Sequence, residues 1–182
     1  MDESGTRTYD APDTMLVSDP AQLRAIADEV RGRILALLRE RAASVTELAE
    51  ALEMPKGTLA HHVKVLESAG LIHVVATRQV RAVTEKFYGR TARLFMIEHD
   101  GEDPSLLHDI AVVTLRTAAA EILRGGGIVT HGLVRVRLSD ADARRFDRRL
   151  KKLVDDVRRA EDRSGRTYGL AVAMYREEKH DA

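Results

Sequence analysis

The stretch that decides the fold of this chain is SVTELAEALEMPKGTLAHHVKVLESAGLIHVVATRQVRAVTEKFY, which occupies residues 44–88. It begins with a capping box, in which Ser44 can cap a helix while the side chain of Glu47 reaches back to the backbone. A short helix, a brief connection and a second helix follow. The second helix is predicted over residues 56–69 and stops at Gly70, because glycine readily adopts the left-handed conformation that follows a helix end.

Two stretches of strand type complete this pattern, at residues 71–77 and 82–88. The segment Arg78-Gln79-Val80-Arg81 joins them, so Arg78 and Arg81 are expected at the tip of a β-hairpin. Two helices followed by such a hairpin form a winged helix-turn-helix, which places its second helix in the major groove of DNA. Arginines at the tip of the wing can reach a phosphate or the minor groove.

The second helix of the motif separates an apolar face from a cationic one. At 100° per residue, Leu59, Val63 and Leu66 fall together and are expected to face the core. The opposite face carries Gly57, His61, Lys64 and Ser68, flanked by Thr58 and Ala60. Because this face contains no carboxylate, it can approach base edges and phosphates without electrostatic repulsion.

The charge of the chain is polarised along its length. The 182 residues include 29 Lys and Arg and 29 Asp and Glu, so the formal net charge is zero. Residues 54–93 nevertheless contain seven positive and only two negative residues, while acidic residues concentrate in the N-terminal tail and near residues 98–109. A neutral total therefore does not exclude a nucleic-acid binder, since the distribution of charge decides the interaction.

Composition also narrows the class of protein. The chain has no cysteine, which excludes disulfides, thiolate metal sites and cysteine nucleophiles. The first twenty residues are polar and acidic, unlike a secretory signal, and no apolar run approaches the length of a membrane span. No nucleophile–base grouping or cofactor motif is found, so we expect a cytoplasmic protein that is not an enzyme and needs no cofactor.

The order of predicted elements gives a mainly α fold with α+β character, in four parts. A disordered tail is expected at residues 1–18, and a winged helix-turn-helix DNA-binding domain at 19–100. A linking or dimerisation helix is expected at 103–124, and a strand-helix-strand unit for dimerisation or an effector at 128–182. In that last unit, Val134–Leu138 and Tyr168–Met174 alternate as strands around a helix at 140–162.

Three segments together resemble the ArsR-type winged-helix repressors: RGRILALL from Arg31, TELAEAL from Thr46 and HHVKVLESAGLI from His61. The resemblance covers residues 20–97, somewhat under half of the chain. It implies a homodimer, an operator with two-fold symmetry and repression that an effector releases. By the same similarity, Lys56, Thr58, His61 and Lys64 would lie in the groove, and Arg78 and Arg81 would be the wing contacts.

Several features of the sequence allow more than one interpretation. Metal sensing is not expected, because cysteine ligands are absent and the histidines near residues 99 and 108 lack clear facial spacing. The basic run at residues 144–152 is interleaved with acids and favours a solvated helix face. A winged-helix module that binds proteins rather than DNA is the main alternative function, since the same fold can serve both.

Overall fold

Six helices and five strands are present in the part of the chain that the structure, a computed structural model, describes. The described residues are 7–80, 83–97, 103–124, 127, 130–160, 162 and 165–176. The chain divides into an N-terminal unit, Met1–Thr117, and a C-terminal unit, Ala118–Ala182. Helices and strand pairing together give an α+β winged helix-turn-helix in the N-terminal unit, as the sequence predicts.

The N-terminal unit has four helices ahead of the wing, of which the first three are capped by side chains. They are α1 (Pro20–Ile26), α2 (Glu29–Glu40), α3 (Val45–Leu52) and α4 (Lys56–Ser68). The Asp19 carboxylate accepts a hydrogen bond from the Ala21 backbone N–H at 2.7 Å, and Ser44 and Glu47 form the predicted capping box. After α4, Gly70 has a φ of +70°, which confirms its role in ending that helix.

The wing is part of a three-stranded antiparallel sheet in the order β2-β4-β3. Its strands are β2 (Ala43–Ser44), β3 (Ile72–Val80) and β4 (Val83–Arg90). The predicted connection at residues 78–81 is wrong, because β3 continues through Arg78 to Val80. Cross-strand side-chain contacts extend the ladder: Gln79 accepts a hydrogen bond from Thr84 at 2.9 Å, and Val80 is opposite Val83. Arg81 lies outside the described residues.

The segment before α1 is ordered, so the prediction of a disordered tail is wrong for residues 7–17; residues 1–6 lie outside the described residues. The strand β1 (Thr14–Val17) pairs in parallel with β5 (Leu94–Ile97). The Tyr9 hydroxyl donates to the carbonyl of Leu38 and accepts from the backbone N–H of Arg90. Backbone pairing and the bridging Tyr9 hydroxyl hold this segment in place. Neither interaction requires a periodic apolar pattern, so the sequence does not indicate that the segment is ordered.

The core of the N-terminal unit lies between the helices and the sheet. Leu59, Val63 and Leu66 of α4 are buried with Leu48 of α3 and Ile34 of α2. The predicted inward face of α4 is therefore confirmed, and α4 has one orientation relative to the rest of the unit. Burying a leucine side chain contributes about 2 kcal/mol to stability.

The helix α5 (Pro104–Leu123) begins in the N-terminal unit, within one residue of the start predicted at 103, and the Asp103 carboxylate accepts from the backbone N–H of Leu106 at 3.2 Å. Its early turns approach α2 where Gly32 leaves room: a Cβ at Gly32 would lie 3.1 Å from Val113 Cγ1 and 3.6 Å from Thr117 Oγ1. The side chains of Leu106 and Ile110 join the buried core. Packing against α2 therefore fixes the first part of α5 on the winged domain.

In the C-terminal unit, the helix α6 (Asp140–Arg159) is found close to its predicted limits. The Ser139 hydroxyl caps it by accepting from the backbone N–H of Asp142 at 3.1 Å. Residues 134–138 and 168–174, which were predicted to be strands, do not form strands, because neither segment pairs with another described segment. Alternating apolar residues mark a surface to be covered, whereas a strand also requires a hydrogen-bonded neighbour.

None of the helices described here combines the length and the apolar character that spanning a membrane requires.

The turn between α3 and α4 contains Glu53, which is the one described residue other than glycine with a positive φ, at 54°. Its backbone N–H closes the end of α3 by bonding to the carbonyl oxygens of Ala49 and Glu50. A glutamate in this left-handed conformation stores strain, of about 1 kcal/mol.

Replacing Glu53 with glycine should therefore raise the free energy of unfolding by about 1 kcal/mol, since glycine adopts this conformation without strain. Chemical denaturation of the full chain measures the change. The Glu53→Ala variant is the control, because it removes the same charge and keeps the strain. Equal stabilisation by alanine would show that the charge, rather than the backbone conformation, is the source of the effect.

Candidate nucleic-acid interface

The exposed side of α4 is the candidate surface. All five residues predicted on this helix are solvent-exposed: Lys56, Gly57, Thr58, His61 and Lys64. The side chains of Leu59 and Leu66 on the opposite face are fully buried, with 0% exposure. The orientation agrees with the sequence prediction, while the contacts of these residues with DNA stay a prediction.

The turn before α4 fixes where this helix begins. The backbone N–H of Met54 donates to the carbonyl of Ala49 at 3.0 Å, and the N–H of Leu59 donates to the carbonyl of Pro55 at 3.1 Å. Leu48 of α3 and Leu66 of α4 also belong to the same buried core. The recognition face is therefore held on a rigid two-helix support, as groove reading requires.

The N-terminus of α4 is open to an anion. Its N-cap residue is Pro55, and no side chain of the described residues caps the first turn. That turn contains no acid and includes Lys56 and the side-chain-free Gly57. Because the first N–H groups of a helix lack intrahelical partners and the helix dipole is positive there, the arrangement favours a phosphate.

His61 and His62 have different surroundings. Their rings meet edge to face with centroids 5.8 Å apart, but His61 is exposed whereas His62 is half-buried. His62 turns towards α2, where its Nδ1 lies 3.7 Å from the Asp28 carboxylate that also accepts from the Arg31 backbone N–H. His62 is thus a packed residue. Among the described residues, no cluster of three or more His, Asp or Glu could hold a metal ion.

The wing presents Arg78 in a different position from the one predicted. It lies within β3 rather than at the hairpin tip, and its guanidinium forms a 2.8 Å ion pair with Glu85 of β4. The hydrogen bond from Arg78, followed by one from Ser44, lowers the pKa of the Glu85 carboxyl below its usual value. Glu85 therefore stays ionised and offsets part of the positive charge of Arg78.

A cleft of about 620 Å³ lies between the wing and the helix-turn-helix. Three cations line it, each from a different element: Lys56 of α4, Arg78 of β3 and Lys86 of β4. Lys86 was predicted only as part of the basic stretch at residues 54–93, and Thr46 and Thr84, which also line the cleft, were not predicted. Antiparallel pairing brings Lys86 opposite Thr77. The position of Lys86 beside the cleft could be predicted only from the correct register of the hairpin.

The comparisons with known proteins agree with this architecture. Residues 26–75 match a family model described as a helix-turn-helix domain. The transcriptional repressor SmtB of Mycobacterium tuberculosis is 39% identical over 67 residues, which cover 36% of this chain and 50% of SmtB. The chain therefore matches half the length of this relative. The family match confirms the helix-turn-helix that the sequence predicts in this part of the chain.

Solved structures resemble this chain with low TM-scores. HlyU from Vibrio cholerae is 25% identical, with a TM-score of 0.34, covering 54% of this chain and 87% of HlyU. A homodimeric winged helix-turn-helix DNA-binding domain from Mycobacterium bovis is 20% identical, also with a TM-score of 0.34, covering 61% of this chain and 86% of that domain.

Proposed function

We propose that this chain, which contains a helix-turn-helix domain at residues 26–75, is a sequence-specific regulator of transcription that binds double-stranded DNA. The observation that carries the proposal is the division of α4 into a buried apolar face and an exposed cationic one. His61 and Lys64 face solvent there and are free of any covering element among the described residues. A helix of this kind enters the major groove with its polar residues towards the base edges.

The wing completes the interface in this proposal. Lys56, Arg78 and Lys86 surround the cleft beside α4, where a phosphate of the backbone would be neutralised. Contacts of this type fix the position of the protein on the duplex, while α4 supplies the sequence discrimination. Arg81 is proposed as a further wing contact from its place in the sequence.

The finer proposal is a homodimeric repressor that binds a two-fold symmetric operator. Two recognition helices then read half-sites separated by about 34–36 Å, one turn of the duplex. On α5, Leu107 and Leu115 are large apolar side chains that remain exposed, as expected of a helix that meets a partner copy. By the resemblance to the ArsR-type repressors, a small-molecule effector would release this repression.

Selection of bound fragments from the source genome tests the proposed function. We expect a shared two-fold symmetric sequence to be enriched, and its affinity, measured by fluorescence anisotropy, to fall steeply as salt increases. The slope of the logarithm of the affinity against the logarithm of the salt concentration should reflect the release of several counterions, nearly one for each phosphate contact. A chain that enriches no fragment at low salt would contradict the proposal and favour a protein-binding module.

Removing the charge of Glu85 should strengthen DNA binding several-fold. In the free protein this carboxylate pairs with Arg78, and on DNA it would repel the phosphates that Arg78 approaches. Anisotropy with the selected fragment and with an unrelated duplex measures the change in the Glu85→Gln variant. The affinities for both duplexes should rise, since phosphate contacts are independent of sequence. An unchanged affinity would show that the wing does not contact DNA. Glu121→Gln, outside the winged domain, is the matched control.

A further inference from the structure

The C-terminal unit has a large apolar surface that is left uncovered in the single chain. Of 21 large apolar side chains that are exposed in the described residues, 14 belong to this unit. None of the unit's described residues is classed as buried. Half of the surface of fourteen such side chains is on the order of 1,000 Å². A stable interface needs about 800 Å² from each partner, and monomers rarely leave more than a few hundred Å² of apolar surface together.

These side chains follow two regular patterns. On α6, the exposed Leu153 and Val157 continue an apolar stripe that begins with the half-buried Phe146 and Leu150. In the two flanking segments, apolar side chains occupy every second position, which places them on one face of a strand. Neither segment pairs with another described segment in the single chain, and we call them segment A, residues 134–138, and segment B, residues 168–174.

The opposite faces of the two strand segments differ. Segment A carries Arg135 and Arg137 between its apolar residues, and charged side chains are typical of a sheet edge. Segment B contains no charge and carries only Gly169, Ala171 and Ala173 between its large residues. A strand that is apolar or small on both faces is suited to the centre of a sheet, with a neighbour along each edge.

Segment A can supply one of these neighbours, and no other described residues of the unit alternate in this way. The second neighbour must therefore come from outside the unit. A second copy of segment B meets every requirement, because antiparallel strands related by a two-fold axis place equal faces side by side. Large residues then pair with large ones, small with small, and no like charges meet within the segment.

We propose that the C-terminal unit is a self-association module in which segment B pairs antiparallel with segment B of a second copy. The result is a four-stranded sheet in the order A-B-B-A, with the apolar stripe of each α6 packed on one face. Two copies cover the exposed apolar surface that a single copy leaves open. This association involves neither α4 nor the wing, so it stands independently of DNA binding.

Site-specific disulfide formation tests this pairing, since the natural chain has no cysteine. Single cysteines are introduced in the full chain at each position from Gly169 to Ala173 and exposed to a mild oxidant at low protein concentration. A two-fold axis between antiparallel strands passes beside one residue, whose two copies lie about 5 Å apart, within disulfide reach. One step along the strand displaces the two copies by about 7 Å in the strand direction, so they lie about 8–9 Å apart, beyond disulfide reach.

We expect one of the five positions to give at least ten-fold more disulfide-linked dimer than the others and than Ala51→Cys, an exposed control on α3. The Leu170→Lys change, added to the best position other than 170, should abolish the excess. Circular dichroism confirms that each variant is folded. Yields at all five positions no greater than at Ala51 would overturn the proposal, whether the chain is a monomer with this surface covered internally or a dimer joined elsewhere.

The same cross-linking in a Lys64→Glu background separates this proposal from the proposed function. Cross-linking should be unchanged there, because segment B makes no use of the DNA-binding face. A loss of DNA binding with retained cross-linking leaves the self-association module intact. A loss of cross-linking in folded Lys64→Glu protein would contradict the independence of the module and overturn it.

Discussion

The Lys64→Glu variant is expected to bind the selected DNA fragment about 10- to 100-fold more weakly than the natural chain. Lys64 projects from the exposed face of α4, in the middle of the surface proposed to enter the groove. Loss of one cationic contact costs about 1–3 kcal/mol, and a carboxylate at the same place adds repulsion from phosphates. Fluorescence anisotropy at fixed salt measures the change.

Two further variants define the origin of this loss. Lys64→Gln removes the charge without adding repulsion, so its affinity should fall between those of the other two proteins, with a salt slope reduced by about 1. Lys152→Glu makes the same charge reversal on the exposed surface of α6 and should leave the affinity unchanged. Equal losses at positions 64 and 152 would contradict the assignment of α4 as the recognition helix.

The second large effect is expected at Gly89, where alanine should lower the free energy of unfolding by about 2 kcal/mol. A Cβ there would lie 2.8 Å from two ring atoms of Tyr9 and 2.9 Å from Val75 Cγ1. The Tyr9 ring cannot move without loosening its hydroxyl from the carbonyl of Leu38 and the N–H of Arg90. Without this contact, alanine in place of glycine would be neutral or stabilising, so the sign itself tests the packing.

A double-mutant cycle with Tyr9→Ala measures how much of this loss comes from the tyrosine ring. Because Tyr9→Ala removes the ring, adding Gly89→Ala to it should cost clearly less than Gly89→Ala alone. Chemical denaturation of the four proteins gives the coupling energy. Strict additivity would show that the ordered N-terminal segment does not press on β4.

The helix ends and the buried face of α4 that neighbouring residues predict are found in the structure. Capping by Asp19 and Ser44 and the positive φ of Gly70 depend on atoms within a few residues, so sequence spacing specifies them. The apolar face of α4 is equally local, because the helical period alone brings Leu59, Val63 and Leu66 together. These features determined both the fold of the domain and the candidate site.

Features that depend on distant partners were missed. The parallel pairing of β1 with β5 joins residues about eighty positions apart, and no local pattern announces it. The position of Arg78 depends on the register with Glu85, which a strand sequence without a clear turn residue leaves open. Arg90 is buried over the Phe95 ring, and burial lowers its pKa to about 10. From the sequence it was one more cation in a basic stretch.

Photo-cross-linking from position 61 tests the central claim, that the exposed side of α4 faces DNA, most directly. The cysteine-free chain allows a single photoreactive label at His61→Cys, with Lys152→Cys on α6 as the matched control. After binding to the selected fragment and illumination, the label at 61 should attach to bases of the selected sequence, and the label at 152 should not. A folded, DNA-bound protein that cross-links from 152 and not from 61 would contradict the account.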